Sequence, residues 1–561
     1  MREELSFEET APWLVILITL VGGVLRILLL GQKGMWLDET FSVWLANHPV
    51  PEMLHWIVTI DQHPPLYYLL LRPWMALRGD SPQAVRMLSV FFGTITIPMI
   101  YLIGKRMSGA LLGLAASLIL AVSPFHIRFA QETRMYTMLT FNASVAIYAL
   151  LRLLTDSRAA KPIGRQFIDY IRAWLKPQPV ERDRGVSFSY KDITTHQSGW
   201  RGWISRHRFL PVQAIETDLA WTVFILFTAA TMLTHNTAIL FPIATNIFVI
   251  GLMIAPRGKK SASTPGLGAP SLRNWIIAQI GILILWSPWS VAFVRQVSRV
   301  YQEFWLPAPT WETIIQAMKS FLNQTTIGEI PLMQGIWIMY ALALGLGLLY
   351  FRKRLSLFLF LAALFAIPFL GELMVSIRRP IFYDKTLIWT TIPLFLILAA
   401  GISQLRYRLL VFTMVGVFGT INLMSAGDYF RFYQKEDWAT PAGYVANFAE
   451  EGDLVLFNAS WVQIPFDYYF ESYEKLYKIE VVKHGVPEDM FASGILERIM
   501  TEEDVPGLLQ LVNGRKRAWL VYSHNWYTDP EGLIPETLAL EMEIIRQREF
   551  YGGVVQLYGL P

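Results

Sequence analysis

The sequence predicts a polytopic α-helical membrane protein with a small α/β domain at its C-terminal end. Three observations carry that prediction. Of the 561 residues, 53% are hydrophobic and only 16% charged, against roughly 25% charged in an ordinary soluble domain, and the mean hydropathy is +0.37. The 20 Trp, 34 Phe and 23 Tyr suit the aromatic belts that flank lipid-crossing segments. Charge is unevenly shared: residues 427–561 hold 11 Lys+Arg against 22 Asp+Glu, a net −11, while the first 426 hold 37 against 22, a net +15. The chain therefore divides into a membrane module, 1–426, and a second domain, 427–561. Composition excludes a disordered chain, a simple soluble enzyme and a nucleic-acid module. The absence of Cys excludes disulfides, thiolate metal sites and Cys nucleophiles.

Apolar stretches long enough for about 30 Å of hydrocarbon lie at about 12–30, 87–104, 109–124, 134–152, 218–234, 237–254, 274–294, 332–350, 355–374, 386–403 and 409–426. The first follows the acidic MREELSFEET, which lacks the basic start of a signal peptide, so it is expected to remain as a helix. Arg26, the one charge within it, is expected to snorkel toward the outer surface. The piece HPPLYYLLLRPWMALR, His63 to Arg78, is short and Pro-rich and is expected to be re-entrant or interfacial. If it does not cross, the loops on the side of the N-terminus carry 24 Lys+Arg against 12 opposite. The positive-inside rule then puts the N-terminus in the cytoplasm and the acidic domain outside. About eleven spans of a cell-membrane protein follow. In the inner loop 152–217, IGRQFIDYIRAWLKP reads either as a helix on the anionic leaflet or as a solvated basic loop.

Beyond 426 the pattern changes. A helical stretch from Trp438 to Ala449 precedes the strand DLVLF; the helical WVQIPFDYYFESY precedes the strand KIEVV; RAWLVYSH reads as a third strand. This is a small α/β layer. It contains no GxGxxG fingerprint, P-loop or metal cluster, so it is expected to act as a cap or docking platform.

The residues that carry chemistry gather on the outer face. Asp38 and Glu39 follow a membrane exit beside Trp36; a carboxylate among aromatics at a membrane surface can serve as a general base, although Asp38 could equally cap the helix FSVWLANH. His63 precedes two Pro that start a helix whose N-terminus favours an anion. Glu132, Arg134 and Tyr136 sit at the edge of a span, where charge is costly and usually functional, or else forms a simple membrane-edge pair. Arg378, Arg379 and Lys385 place three cations on the side that should lack them; an anionic ligand explains the exception, as would lipid headgroups or the acidic domain. Together these offer a base for an acceptor hydroxyl and cations for a departing phosphate. Asp38, Glu39 and Glu132 could also ligate Mg²⁺ or Mn²⁺ through oxygen, but their spacing is no metal signature, so no metal is assigned.

The segments WLDET, HPPLYYLLL, SPFHIRFAQETRMYTM and RRPIFYDKTLIWTTIPLFLILAAGI, in this order, resemble those of the GT-C fold glycosyltransferases, in particular the bacterial protein O-mannosyltransferase and aminoarabinose lipid A transferase superfamily. The resemblance covers roughly residues 10–425 and is strongest over 30–150. It implies a polyprenyl-phosphate-linked sugar donor and chemistry on the extracytoplasmic face. By position it assigns Asp38 as the catalytic Asp with Glu39 its acidic neighbour, and His63 as a phosphate contact where relatives carry a basic residue before Pro-Pro. Arg134 and Tyr136 match a second-loop Arg-x-Tyr pattern, with Glu132 where some relatives carry Asp, and Arg379 matches a phosphate-binding Arg before the late span. The resemblance does not extend to the C-terminal domain.

These residues imply an inverting glycosyltransferase whose acceptor is a protein, lipid or glycan hydroxyl and whose partners are the bilayer and its lipid-linked donor, with no nucleic acid. Two other functions compete. A lipid-linked sugar flippase or transporter should carry midplane charges and internal repeats, whereas here the charges sit at outer helix ends. A non-catalytic scaffold subunit would use the C-terminal domain for docking, against which the retained Asp38 counts.

Overall fold

The computed structural model describes residues 2–61, 63–156, 212–255, 266–299, 307–323, 331–405, 407–495 and 498–560. The basic stretch proposed for the inner leaflet lies outside them. The first span is α1 (Arg2–Ile27), and the loop after it forms three short helices, α2 (Leu37–Asn47), α3 (Val50–Thr59) and α4 (Leu66–Arg78). Then come α5 (Pro82–Ser108), α6 (Ala110–Val122), α7 (Pro124–Ala130), α8 (Tyr136–Thr155) and α9 (Val212–Met232). After them stand α10 (Leu240–Ile254), α11 (Leu272–Arg299), α12 (Trp311–Asn323), α13 (Pro331–Phe351), α14 (Leu355–Ser376), α15 (Thr391–Ser403) and α16 (Arg408–Phe432).

Among the described residues, eight helices are long and apolar enough to cross a membrane, or nine when the bent pair α6–α7 counts as one span. Two shorter apolar helices, Thr217–Met232 and Gly335–Phe351, stand where the sequence places two further spans; the expected eleven is reached only if both cross. The piece α4 has 13 residues, or about 20 Å of helix, too short to cross. α8 and the segment Asp384–Ser403 form the buried centre, whereas α1, α11 and α16 carry mostly outward apolar surface, including Trp13, Leu17, Leu20 and Val24, as lipid-facing helices should.

The bend between α6 and α7 is 58° and has a local cause. Pro124 lacks an N–H and cannot continue the ladder of α6, while Ser123 accepts a hydrogen bond from the His126 N–H to start α7. The last carbonyls of α6 are thereby orphaned, and Arg26 donates to Leu120 O and Ala121 O at 3.0 and 2.9 Å. Arg26 is thus fully buried and does not snorkel: the broken helix needs its guanidinium more than water does.

The C-terminal part opens with α17 (Ala439–Phe448) and contains α18 (Gln463–Tyr477) and a five-stranded sheet. Its strands are β1 (Leu454–Asn458), β2 (Val482–Gly485), β3 (Arg517–Ser523), β4 (Glu543–Phe550) and β5 (Gly553–Gly559), in the order β2-β1-β3-β5-β4. β2, β1 and β3 are parallel; β5 pairs antiparallel with β3, and β4 pairs antiparallel with β5. β1 is buried throughout, as a strand covered on both faces must be. Side chains alternate: Val455, Phe457, Trp519 and Val521 join the core that continues into the membrane helices, and Leu454, Leu456, Ala518 and Leu520 form a second core on the other face. Two details differ from the sequence expectation. The strand expected at KIEVV starts only at Val482, because α18 runs to Tyr477 and Lys478 ends it in the left-handed conformation, φ +55°. The hairpin β4–β5 was not anticipated.

Candidate active site

A cavity of about 660 Å³ is lined jointly by residues of the helical part and of the C-terminal part. Of the residues expected to carry chemistry, it is lined by Asp38, His63, Arg134, Tyr136, Arg379 and Lys385. They converge from five places in the chain. Asp38 is in the first turn of α2, where the helix dipole favours a carboxylate; the N-cap is Trp36, and Asp38 makes no capping bond. His63 stands before Pro64 and Pro65, which lead into α4; Arg134 and Tyr136 come from the turn into α8; Arg379 follows α14; Lys385 is in the 3₁₀ turn Asp384–Thr390.

Asp38 Oδ2 lies 3.3 Å from Lys385 Nζ and 3.8 Å from Arg134 Nε. The Asp38 side chain is 26% exposed and reachable from the cavity, whereas Lys385 and Arg134 are 14% and 4% exposed. Burial alone would raise the Asp38 pKa, but Arg134, Lys385 and His63 outweigh it and hold the carboxyl below the usual carboxylate range. Lys385 Nζ sits among the rings of Trp36, Tyr136 and Tyr383, 5.7, 5.6 and 4.6 Å from their centroids. That aromatic cage fixes the ammonium without neutralising it. Arg134 also donates to Asp38 O, Ser42 Oγ and Tyr68 OH, and its Nη2 is 3.5 Å from the His63 ring nitrogens.

Three expected residues stand elsewhere. Glu39 is fully buried behind Asp38 and lines no part of the cavity; it takes a two-bond fork from Arg86 at 2.7 Å each, a bond from Lys435 Nζ at 2.7 Å and one from the Thr133 N–H at 2.9 Å. Burial pushes its pKa up, yet Arg86 and Lys435 bring it down to about 2. Glu132 is buried 3.5 Å from Arg128, away from the cavity lining. Arg378 points outward and is exposed.

The cavity also holds residues that sequence reasoning missed. Asp61 Oδ1 is 2.8 Å from His63 Nδ1, fixing the ring, and His235 packs against His63 with centroids 5.1 Å apart. His235 stands in the turn between α9 and α10, and nothing in the sequence joins it to His63. Glu372 shares the single Thr386 hydroxyl hydrogen between its two oxygens, 2.9 and 2.7 Å from Oγ1; a lone Glu in the apolar run of α14 was the available signal. Glu436, Trp461, His524, Trp526 and Tyr527 come from the C-terminal segment and have no signature in the sequence. Trp36 Nε1 and His235 Nε2 are buried without a protein hydrogen-bond partner, as donors and acceptors that meet a ligand would be. Among the described residues no group of three or more His, Cys, Asp or Glu could hold a metal ion.

The arrangement supplies a reachable carboxylate, two fixed cations and an imidazole at one end of a largely apolar cavity. Ile239, Leu240, Phe293 and Val297, from α11 and the turn into α10, belong to its apolar lining. Residues 62–162 match the family model for dolichyl-phosphate-mannose-protein mannosyltransferase. No curated protein matches the sequence. The structure resembles that of ArnT from Cupriavidus metallidurans in the apo state, with a TM-score of 0.59, 12% identity and 97% of each chain covered. It resembles the same protein bound to undecaprenyl phosphate with a TM-score of 0.54 and 12% identity over 97% of each chain. The archaeal oligosaccharyltransferase AglB from Archaeoglobus fulgidus, in complex with an inhibitory peptide and a dolichol-phosphate, matches with a TM-score of 0.51 and 9% identity over 98% of this chain and 74% of its own. The chain thus has the GT-C fold of membrane glycosyltransferases, the fold that its loop and late-span motifs resemble.

Proposed function

We propose that this protein is a glycosyltransferase that moves a sugar from a polyprenyl-phosphate donor to an acceptor hydroxyl at the extracytoplasmic face of the cell membrane, with inversion. The observation that carries this reading is Asp38, reachable from the cavity and set between Lys385 and Arg134. The polyprenyl chain lies along the apolar side of the cavity, and its phosphate meets Arg134, Lys385 and His63. The acceptor oxygen attacks the anomeric carbon as its proton passes to the Asp38 carboxylate. The bond from that carbon to the phosphate oxygen breaks, its electron pair stays on the phosphate, and the cations stabilise the charge as it develops. Before the donor arrives the same cations keep Asp38 ionised; the phosphate draws on them and leaves the carboxylate more basic, as a general base should be. Inversion follows from the role given to Asp38, a base that takes the acceptor proton and forms no bond to the anomeric carbon. Asp38 then acts in a single displacement with no covalent intermediate. The residues present make no claim on a metal: Asp38, Glu39 and Glu132 are spread over the cavity wall and two buried ion pairs.

The test is sugar transfer by the protein in lipid nanodiscs, from a panel of radiolabelled polyprenyl-phosphate sugars to a membrane extract. Wild type transfers, and Asp38→Asn loses about 10²- to 10⁴-fold in rate, the usual worth of a general base, with its melting temperature retained. Full activity in Asp38→Asn removes Asp38 from this role. Donor binding without transfer favours the flippase or scaffold function.

A further inference from the structure

We propose that the wall contributed by the C-terminal domain is a carbohydrate-binding subsite that receives a glycan acceptor, an inference that rests on the donor reading above. The wall is made by loops at one end of the sheet. β1 runs into the 3₁₀ turn Ser460–Val462, which carries Trp461, and β3 runs into His524 and the short helix Asn525–Thr528, which carries Trp526 and Tyr527. β1 and β3 are adjacent and parallel, and the strand order β2-β1-β3 changes direction between them. Open α/β sheets hold ligands at this place, outside the carboxyl ends of the strands where the order reverses.

The side chains suit a pyranose. Trp526 is 65% exposed although it stands at the cavity, and Tyr527 lies beside it with ring centroids 5.7 Å apart. Trp461 meets His524 at 6.0 Å between centroids. Flat aromatic faces take the C–H faces of a sugar ring, and polar neighbours take its hydroxyls. Glu436 Oε1 is 3.5 Å from His524 Nε2, and His524 Nδ1 is 2.9 Å from Ser523 Oγ, so a carboxylate and an oriented imidazole are both present. His524 holds φ +54°, the left-handed region that a residue with a Cβ rarely occupies; strained backbone of this kind clusters at ligand sites, and here it turns the chain out of β3 to present Trp526. In that reading the apolar lining from the helices and the cations are used by the donor. The C-terminal wall is left for the molecule that meets the anomeric carbon from the aqueous side. Two indoles and a phenol around a carboxylate and an imidazole suit a glycan better than an extended peptide, whose backbone would need a row of hydrogen-bonding groups.

The experiment titrates the full chain in nanodiscs with oligosaccharides of mannose, glucose and N-acetylglucosamine, a Ser/Thr-rich peptide, and undecaprenyl phosphate, read by saturation-transfer NMR. At least one oligosaccharide series binds saturably, Trp526→Ala weakens it about tenfold, Trp526→Tyr keeps it within about threefold, and undecaprenyl phosphate affinity is the same in all three proteins. Absence of oligosaccharide binding, binding of the peptide alone, or oligosaccharide affinity indifferent to Trp526→Ala overturns the subsite. Loss in Trp526→Ala of affinity for a polyprenyl-phosphate sugar, with oligosaccharide affinity kept, also overturns it by giving the wall to the donor. If wild type binds oligosaccharide through Trp526 but not undecaprenyl phosphate, the subsite stands and the donor reading falls.

Discussion

Asp38 and Glu39 are neighbours with opposite surroundings. Successive residues on a helix project about 100° apart, so the first turn of α2 sends Asp38 to the cavity and Glu39 into the packing against Arg86, Thr133 and Lys435. Removing one partner of a buried ion cluster leaves the others uncompensated, and Glu39→Gln is expected to cost about 3–5 kcal/mol, seen as a lowered melting temperature in detergent. The pH dependence has a defined sign. The folded value of Glu39 is about 2, below its ordinary 4.5, so its contribution is present above about pH 4.5 and is lost as the pH falls toward 2. Thermal unfolding of wild type should weaken through that window, and Glu39→Gln should respond less there. The sequence made both carboxylates candidates because adjacency in the chain says nothing of helix phase. For the same reason Asp61 was passed over although it stands two residues from His63: their 2.8 Å contact comes from a turn without regular periodicity.

Where helices must approach closely, small residues set the geometry, since lipid gives no hydrophobic drive for association. α13 crosses α15 at Gly347 and Gly401; a Cβ on Gly401 would overlap the Ala343 carbonyl oxygen, and one on Gly347 would overlap that of Ile397. Gly401→Val is therefore expected to destabilise by about 1–3 kcal/mol or more, measured as a loss of folded protein on size-exclusion chromatography and a lower melting temperature. An unchanged profile would show that the two helices separate freely. Span positions were legible because about 20 apolar residues in a row leave little else to form. The bend at Pro124 was not legible as a bend, and the role of Arg26 was missed because orphaned carbonyls at a helix end appear only once α1 and α6 are side by side. β4 was missed for another reason: its sequence EIIRQREF is largely exposed, and a charged edge strand lacks the hydrophobic alternation that marks an inner one.

The two halves of opposite charge meet through a shared apolar core and through specific bonds. Tyr469 OH accepts from the Met35 N–H at 2.7 Å, Lys33 Nζ donates to Tyr433 O at 2.7 Å, and Tyr468 OH donates to Asp80 O at 2.9 Å. Lys435, one residue before the cavity-lining Glu436, enters the Glu39 cluster. The expectation that the C-terminal part is a cap or docking platform rested on its lack of a GxGxxG fingerprint, P-loop or metal cluster; its side chains in the cavity wall had no motif to announce them. The sidedness argued from loop charges has a direct check, because the chain has no Cys. Single cysteines at the exposed positions Lys353 and Glu531 should be labelled by a membrane-impermeant maleimide from the inside and the outside of the cell membrane respectively. Labelling of both from one side would overturn the topology.

Arg134 and Lys385 are proposed to hold a polyprenyl phosphate beside Asp38, and a cryo-EM structure of the protein in nanodiscs with undecaprenyl phosphate tests this most directly. Phosphate density is expected within hydrogen-bond distance of Arg134 and Lys385, with the lipid chain running past Leu240 and Phe293. Phosphate held at the exposed Arg378, with Asp38 still paired to Lys385 and the cavity empty of lipid, would contradict it.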